Sequence, residues 1–402
     1  MVLAADDAFQ KDKIDLAATP LPHLRSMEIL SDSCFDGFFL DKTYLSSFER
    51  SPEGIHEQGK NHFFAAINKG ARFAVYIGHG HSYLLTDEEF LHASDTALFT
   101  NDTSLPVFFS FSCENGEFLR KPQPQMCKSF LFTGRGGCIA YVAAPVATYG
   151  ASNLRFARSV FSRFDTTGSY TIGQALTHGY AAYPSSTTYY YQVLGDPALQ
   201  FTGERFLMST TGNTMDNGDY RYTTTVSPSA GDSLNYRYQI SIRDSVTCLD
   251  TVSPRYVDDT ITSSDAGVVT GNSITVTIPA AAITANSRYT LYLWDGQREG
   301  RLDTLIPSQT PVLASTTPDS RLPAIDFRRG SLAVSFAAVS PSPAVTMTLF
   351  SLNGARAAVM TSSAVNGKAV FNLRKTGLAA GNYLYRINAG TTRHSGKICF
   401  LP

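Results

Sequence analysis

The chain has 402 residues, 43% of them hydrophobic and 17% charged, with a formal net charge of −1. That length supports two or three domains, each with its own core, while the charge balance offers no electrostatic basis for binding nucleic acid or an anionic membrane. The absence of any apolar run of about 18 residues excludes a transmembrane helix, and the cysteines (Cys34, Cys113, Cys127, Cys138, Cys248 and Cys399) are too sparse for a disulfide scaffold and lack the C-x-x-C spacing of a zinc ribbon or thioredoxin motif.

In chain order, MVLAADD reads as a buried strand ending in Asp6 and Asp7, which are expected to cap a helix near Ala8 to Leu16, with contact to a metal or substrate as the alternative. The opening MVLAADDAFQKDK lacks the basic segment, apolar stretch and cleavage site of a signal peptide. Leu21 to Ser51 holds a helix and then the strand-like FFLDKTYL. Pro52 to Gly70 predicts a helix with Ile55, Phe63, Phe64 and Ile67 inward and Gly70 as its stop. A buried strand, FAVYIGHGH, starts at Phe73 and runs out at His79; Thr86 to His92 predicts a short helix. A second buried strand, PVFFSFSCENGEF, starts at Pro106 and runs out at Cys113. Lys128 to Phe132 reads as helical, Gly136 to Pro145 as a buried strand, and Ala151 to Phe164 and Thr171 to Tyr180 as helices. The aromatic run Tyr189 to Tyr191 reads as core or rim packing rather than a glycan platform. Alternating strands and helices indicate an α/β domain with a parallel sheet.

In such sheets chemistry sits beyond the carboxyl ends of the strands. Two neighbouring strands ending in His79 and Cys113 place an imidazole beside a thiol. A free thiol is mostly protonated at neutral pH, so a nucleophilic cysteine needs a base, and the same imidazole can later protonate the leaving amine. Gly78 and Gly80 let the backbone approach a substrate closely, and the N–H groups of Gly80 and Cys113 are candidate oxyanion donors. Two competing readings fit less well. His79, His81 and Asp87 suggest metal ligands, but Tyr83 and Leu84 break the H-x-H-x-D-H pattern; no catalytic metal is expected. Ser110 and Ser112 lack a G-x-S-x-G elbow.

YIGHG followed by an apolar strand ending in SCENGEF resembles the gingipain-type cysteine peptidases of the caspase-like clan. The resemblance runs from Val2 to Phe201 and closes at LGDPALQF, so residues 1–202 are assigned as the peptidase domain. It implies that His79 and Cys113 form a catalytic dyad. Pro145 to Tyr149, with Pro145, Thr148 and Tyr149, would form part of the substrate rim. Glu114 and Glu117 are the nearby carboxylates for a basic P1 residue. In the family the Ala-Asp-Asp step lies well inside the catalytic domain. The domain is therefore expected to be N-terminally incomplete, with Met1 to Ala5 as an exposed edge and the third partner of His79 lost with the missing part. No cofactor is required, and a structural calcium ion is left unassigned.

After Phe201, alternating Thr, Tyr, Val and Ile with turn signals such as DNGD and TGNS predict an all-β sandwich, immunoglobulin-like, over residues 203–314. Residues 315–322 read as a linker, and residues 323–402 as a second β domain. That last domain resembles the C-terminal sorting domain of type IX secretion cargo, through Leu378, Gly381 and Tyr383 and the ending at Gly396, Lys397 and Ile398. The expected molecule is thus multidomain: an α/β caspase-like peptidase followed by two β sandwiches. The resemblance implies an endopeptidase acting on proteins or peptides, secreted or held at the outer-membrane surface, with the type IX machinery as partner. The alternative is a catalytically silent surface protein whose β domains serve adhesion.

Overall fold

The computed structural model describes residues 1–7, 9–10, 13–14, 23–35, 38–86, 88–102, 104–119, 124–163, 170–215, 218–227, 233–249, 255–284, 286–306, 324–328, 331–335, 344–351, 356–363, 368–378, 381–389 and 392–400. It divides into two compact units, Met1–Thr310 and Pro311–Pro402. The expected linker at residues 315–322 lies outside the described residues.

The first unit opens with an α/β layer. Its strands are β1 (Val2–Ala5), β2 (Asp41–Tyr44), β3 (Phe73–Ile77), β4 (Val107–Phe111), β5 (Ala140–Ala143) and β6 (Gln192–Leu194). They form one sheet in the order β6-β5-β4-β3-β1-β2. All pair in parallel except β6 on β5. Among the described residues, five helices accompany them: α1 (His23–Cys34), α2 (Glu57–Asn68), α3 (Met126–Leu131), α4 (Gly150–Phe161) and α5 (Ile172–Ala182). A capping box between Thr171 and Gln174 starts α5.

Strand periodicity divides the apolar residues between two cores. Leu3, Ala5, Phe73, Val75, Ile77, Phe109 and Phe111 pack with α1, α4 and α5 on one face. Val2, Ala4, Ala74, Tyr76 and Phe108 pack with α2 and α3 on the other. Burial on both faces is why these strands read as unbroken apolar runs.

Three sequence expectations are corrected. Val2–Ala5 is an interior strand flanked by β2 and β3, because the chain leaves β1 for the sheet edge and returns across it. Asp6 and Asp7 do not cap a helix near Ala8 to Leu16: Phe9–Gln10 pairs antiparallel with Lys13–Ile14, and the first helix among the described residues starts at His23. Thr86 to His92 is not helical. Leu84–Leu85 pairs with both Gly80–His81 and Leu91–His92, through a turn in which Thr86 and Glu89 take positive φ. The three acidic residues there had suggested a helix start, but the pairing of Leu85 with Leu91 buries both leucines.

The same unit continues into β strands: β7 (Leu207–Thr214), β8 (Tyr220–Ser227), β9 (Leu234–Val246), β10 (Tyr256–Val269), β11 (Ser273–Ile278), β12 (Ser287–Trp294) and β13 (Arg298–Leu305). One sheet joins β7, β8 and β11; the other joins β13, β12, β9 and β10 with the short Glu204–Arg205 strand. Both contribute to one core, with Tyr222 stacked on Tyr289 at 4.4 Å. This part is tied to the α/β layer. Tyr256 meets Tyr44 edge to face, Cys248 joins the first core, and Lys42 bonds both Glu28 and the Val257 carbonyl. Arg72 reaches Glu299 and Tyr292.

The second unit has β14 (Ala324–Arg328), β15 (Ser331–Ser335), β16 (Ala344–Ser351), β17 (Arg356–Ser363), β18 (Lys368–Asn372), β19 (Gly381–Ala389) and β20 (Thr392–Phe400). They form sheets of three and four strands, with a core from Val345, Met347, Leu349, Phe371 and Ile387. The expected C-terminal hairpin is β19 with β20, in which Tyr383 faces Ile398 across the ladder and Leu384 faces Lys397.

Candidate active site

The carboxyl ends of β1, β3, β4 and β5 lie side by side at one edge of the parallel sheet. They deliver Asp6, His79, Cys113 and the segment from Ala144 to Thr148. Strand order reverses between β1 and β3, which makes this the crevice where open α/β sheets bind ligands.

His79 is half-buried on a turn that two glycines make possible. A Cβ on Gly78 would stand 2.5 Å from the Asp6 Cβ. On Gly80 it would stand 2.6 Å from Ser112 Oγ and 3.0 Å from the Cys113 carbonyl oxygen. The histidine turn therefore packs closely against the cysteine turn, leaving no room for a side chain at residue 80. Tyr76 Oη donates to the His79 carbonyl at 2.7 Å, and the His79 N–H donates to Asp6 Oδ2 at 2.8 Å. Asp6 is thus the carboxylate that holds the His79 backbone. Burial, with Glu88 and Asp7 close by, pushes its carboxyl well above the usual range.

Cys113 is half-buried. Its sulfur receives the Thr148 N–H at 3.3 Å and faces the Thr148 carbonyl at 3.4 Å. Behind Thr148 stands a buried relay. Asn153 Nδ2 donates to Thr148 Oγ1 at 3.0 Å and to the Phe111 carbonyl at 3.3 Å, while Tyr191 Oη donates to Asn153 Oδ1 at 2.9 Å. Burial drives the Tyr191 phenol far above its ordinary range, so it stays a donor.

Glu114 takes a positive φ of 53° and donates its N–H to the Val146 carbonyl at 3.1 Å. Gly116 N–H does the same to the Ala144 carbonyl at 2.8 Å. A Cβ on Gly116 would lie 2.8 Å from the Ala143 carbonyl oxygen, so the Asn-Gly step lets the loops after β4 and β5 zip together. Asn115 is buried; it donates to the His81 carbonyl at 3.0 Å and accepts from Tyr141 Oη. The Glu114 carboxylate stands 3.4 Å from His81 Nε2, and Glu117 accepts from the Leu119 N–H. Pro145 is half-buried and Tyr149 is 74% exposed on the rim. Ser110 and Ser112 are buried and bonded to each other. Asp87 lies outside the described residues.

The profile of peptidase family C25 matches residues 1–202. The chain belongs to this family of cysteine peptidases. Among solved structures, the complex of Porphyromonas gingivalis RgpB pro- and mature domains is similar with a TM-score of 0.42 and 16% identity, over 75% of this chain and 67% of that one. The Arg-specific cysteine proteinase gingipain R has a TM-score of 0.41 and 14% identity, over 77% of this chain and 67% of that one. Dimeric latent PorU of Porphyromonas gingivalis has a TM-score of 0.21 and 12% identity, over 58% of this chain and 28% of that one. At these scores the structural likeness adds nothing to the family match. A comparison with curated proteins found no match.

Sequence reasoning missed Asn153 and read Tyr191 only as core or rim packing, not as a partner behind Thr148. They lie 40 and 78 residues beyond Cys113 in the chain, and neither carries a motif. It did notice Asp6, but preferred a helix cap to contact with a metal or substrate.

Proposed function

We propose that the chain is a cysteine endopeptidase, with Cys113 as nucleophile and His79 as base and then acid, and that the parallel sheet is a caspase-like catalytic core. The contact of Gly80 with Ser112 and Cys113 supports this reading above all, because it brings the histidine turn against the cysteine turn. The thiol proton passes to His79, sulfur attacks the scissile carbonyl, and the N–H groups of Gly80 and Cys113 hold the oxyanion. His79 then gives its proton to the leaving amine, and water hydrolyses the acyl-enzyme. The Thr148 N–H and carbonyl hold the Cys113 sulfur at the end of β4. Pro145, Thr148 and Tyr149 form one wall of the substrate site, and Glu114 is the nearest carboxylate for a basic P1 residue.

An electrophilic peptide probe tests the assignment. Cys113 is to be labelled, while Cys127 and Cys138 stay unlabelled: both are buried, and burial pushes the Cys127 thiol up to about 11 and that of Cys138 higher. Labelling that spreads evenly over the three, or survives His79→Ala, refutes the dyad and leaves a silent surface protein.

The two β regions, residues 203–314 and 323–402, complete the proposal as sandwiches. The last, by its C-terminal hairpin motifs, directs the chain through type IX secretion to the cell surface or medium.

A further inference from the structure

Beside the thiol, the same edge of the sheet carries a second grouping. Asp6 leaves β1, His23 opens α1 and His79 follows β3. One donor atom from each lies within 4.8 Å of the other two. The His23 and His79 rings meet edge to face, with centroids 5.1 Å apart. Asp6 and His23 are buried, at 0% and 7% exposure. His23 comes from a helix on one face of the sheet, so the fold, not local sequence, brings it to His79.

A second trio overlaps the first through Asp6: the carboxylates of Asp6, Asp7 and Glu88 also lie within 4.8 Å of one another. All three are buried. Asp7 is met by His56 Nε2 at 3.0 Å. Three carboxylate side chains crowded together out of water favour a cation beside them. Each Asp6 oxygen accepts one backbone N–H, from Asp7 and from His79, and a carboxylate oxygen has acceptor capacity beyond a single hydrogen bond.

The donor set selects the ion. Calcium and magnesium take oxygen ligands, whereas two imidazoles with a carboxylate suit zinc and its first-row neighbours. Zinc bonds to nitrogen and oxygen are about 2.0–2.2 Å, so the donors must draw inward. His79 is placed to do so, on a half-buried turn between glycines.

We propose that Asp6, His23 and His79 form a binding site for a zinc-class divalent ion, which takes the His79 ring nitrogen and so withdraws the imidazole from proton transfer. The consequence for catalysis rests on the peptidase reading above; the binding does not. Reversible inhibition by zinc follows, with activity returning on chelation.

The test uses the full chain in a Cys113→Ala background, so that neither a thiolate ligand nor catalysis contributes. Calorimetric titration with Zn²⁺ should show one tight equivalent, and Co²⁺ should give a visible spectrum of nitrogen and oxygen ligation. Imidazole NMR should show the His79 ring nitrogens shifting on metal addition. His23→Ala in the same background should weaken Zn²⁺ binding at least tenfold, roughly the smaller loss seen when even an outer partner of a ligand is removed. His79→Asn, at a half-buried turn, repeats the test should His23→Ala fail to fold, with melting curves as the fold control. No stoichiometric binding, or binding unchanged in a folded His23→Ala or His79→Asn variant, overturns the site. A chain that binds zinc but never cleaves peptides would instead overturn the peptidase reading and leave the site standing.

Discussion

Glu299 gives the sharpest stability prediction. Its carboxylate is 2% exposed, lies 2.7 Å from Arg301 and 2.5 Å from Arg72, and accepts from Tyr292 Oη at 2.7 Å. Desolvation alone would raise its pKa. The two guanidiniums and the phenol outweigh burial and bring it from 4.5 to about 2. At about 1.4 kcal/mol per tenfold change, that drop corresponds to about 3 kcal/mol. The sign follows from the direction. A depressed carboxylate stabilises the fold above its unfolded pKa of 4.5, and that stability is lost as pH falls through 4.5 towards 2. Arg301 carries the opposite effect, since burial pulls its guanidinium down to about 10; it does not titrate in the acid window. Glu299→Gln leaves Arg301 buried without its counter-charge and should cost about 3–5 kcal/mol at neutral pH. The assay is urea unfolding followed by tryptophan fluorescence. The chain has one tryptophan, Trp294, which faces Glu299 across the β12–β13 ladder. Between pH 4.5 and 2 the unsubstituted chain should lose about 3 kcal/mol more than Glu299→Gln. Parallel stability profiles for the two proteins over that window would refute the reasoning.

Three further outcomes are expected. Gly80→Ala drives a methyl into Ser112 and the Cys113 carbonyl and should lower kcat/KM about a hundredfold, measured on a fluorogenic peptide; unchanged turnover would show that the two turns need not touch. Asn153→Ala removes three buried hydrogen bonds and leaves Tyr191 Oη without its acceptor; a loss of about 3 kcal/mol in denaturant titration is expected, with reduced probe labelling of Cys113 as Thr148 loosens. Deleting residues 396–402 from the full chain in a host with type IX secretion should strand it in the periplasm, as read by immunoblotting of cell fractions, and export at the full level would end the sorting proposal.

Much of the α/β layer was legible because buried strands announce themselves. FAVYI and VFFSF are apolar on both faces, and the first polar residues after them mark the edge of the sheet, so His79 and Cys113 could be named from the sequence. The Thr86 to His92 turn misled because its acidic run has the composition of a helix start, while its strand pairing depends on Leu85 and Leu91 meeting across a turn.

What the sequence by itself determined is local: strand faces, the stop at Gly70, the glycines around His79, and the YIGHG and SCENGEF stretches that carry the family resemblance. The tertiary structure alone decided what stands around them. Strand order β2-β1-β3 places β1 inside the sheet and so carries Asp6 to the His79 backbone. Packing of α1 on the sheet brings His23 edge-on to His79, and α4 sets Asn153 behind Thr148 and Cys113. The physical reason is that hydrophobic burial is read from a few neighbouring residues, whereas these polar contacts join segments far apart in the chain. Their partners are chosen only when the strands take their order and the helices their faces.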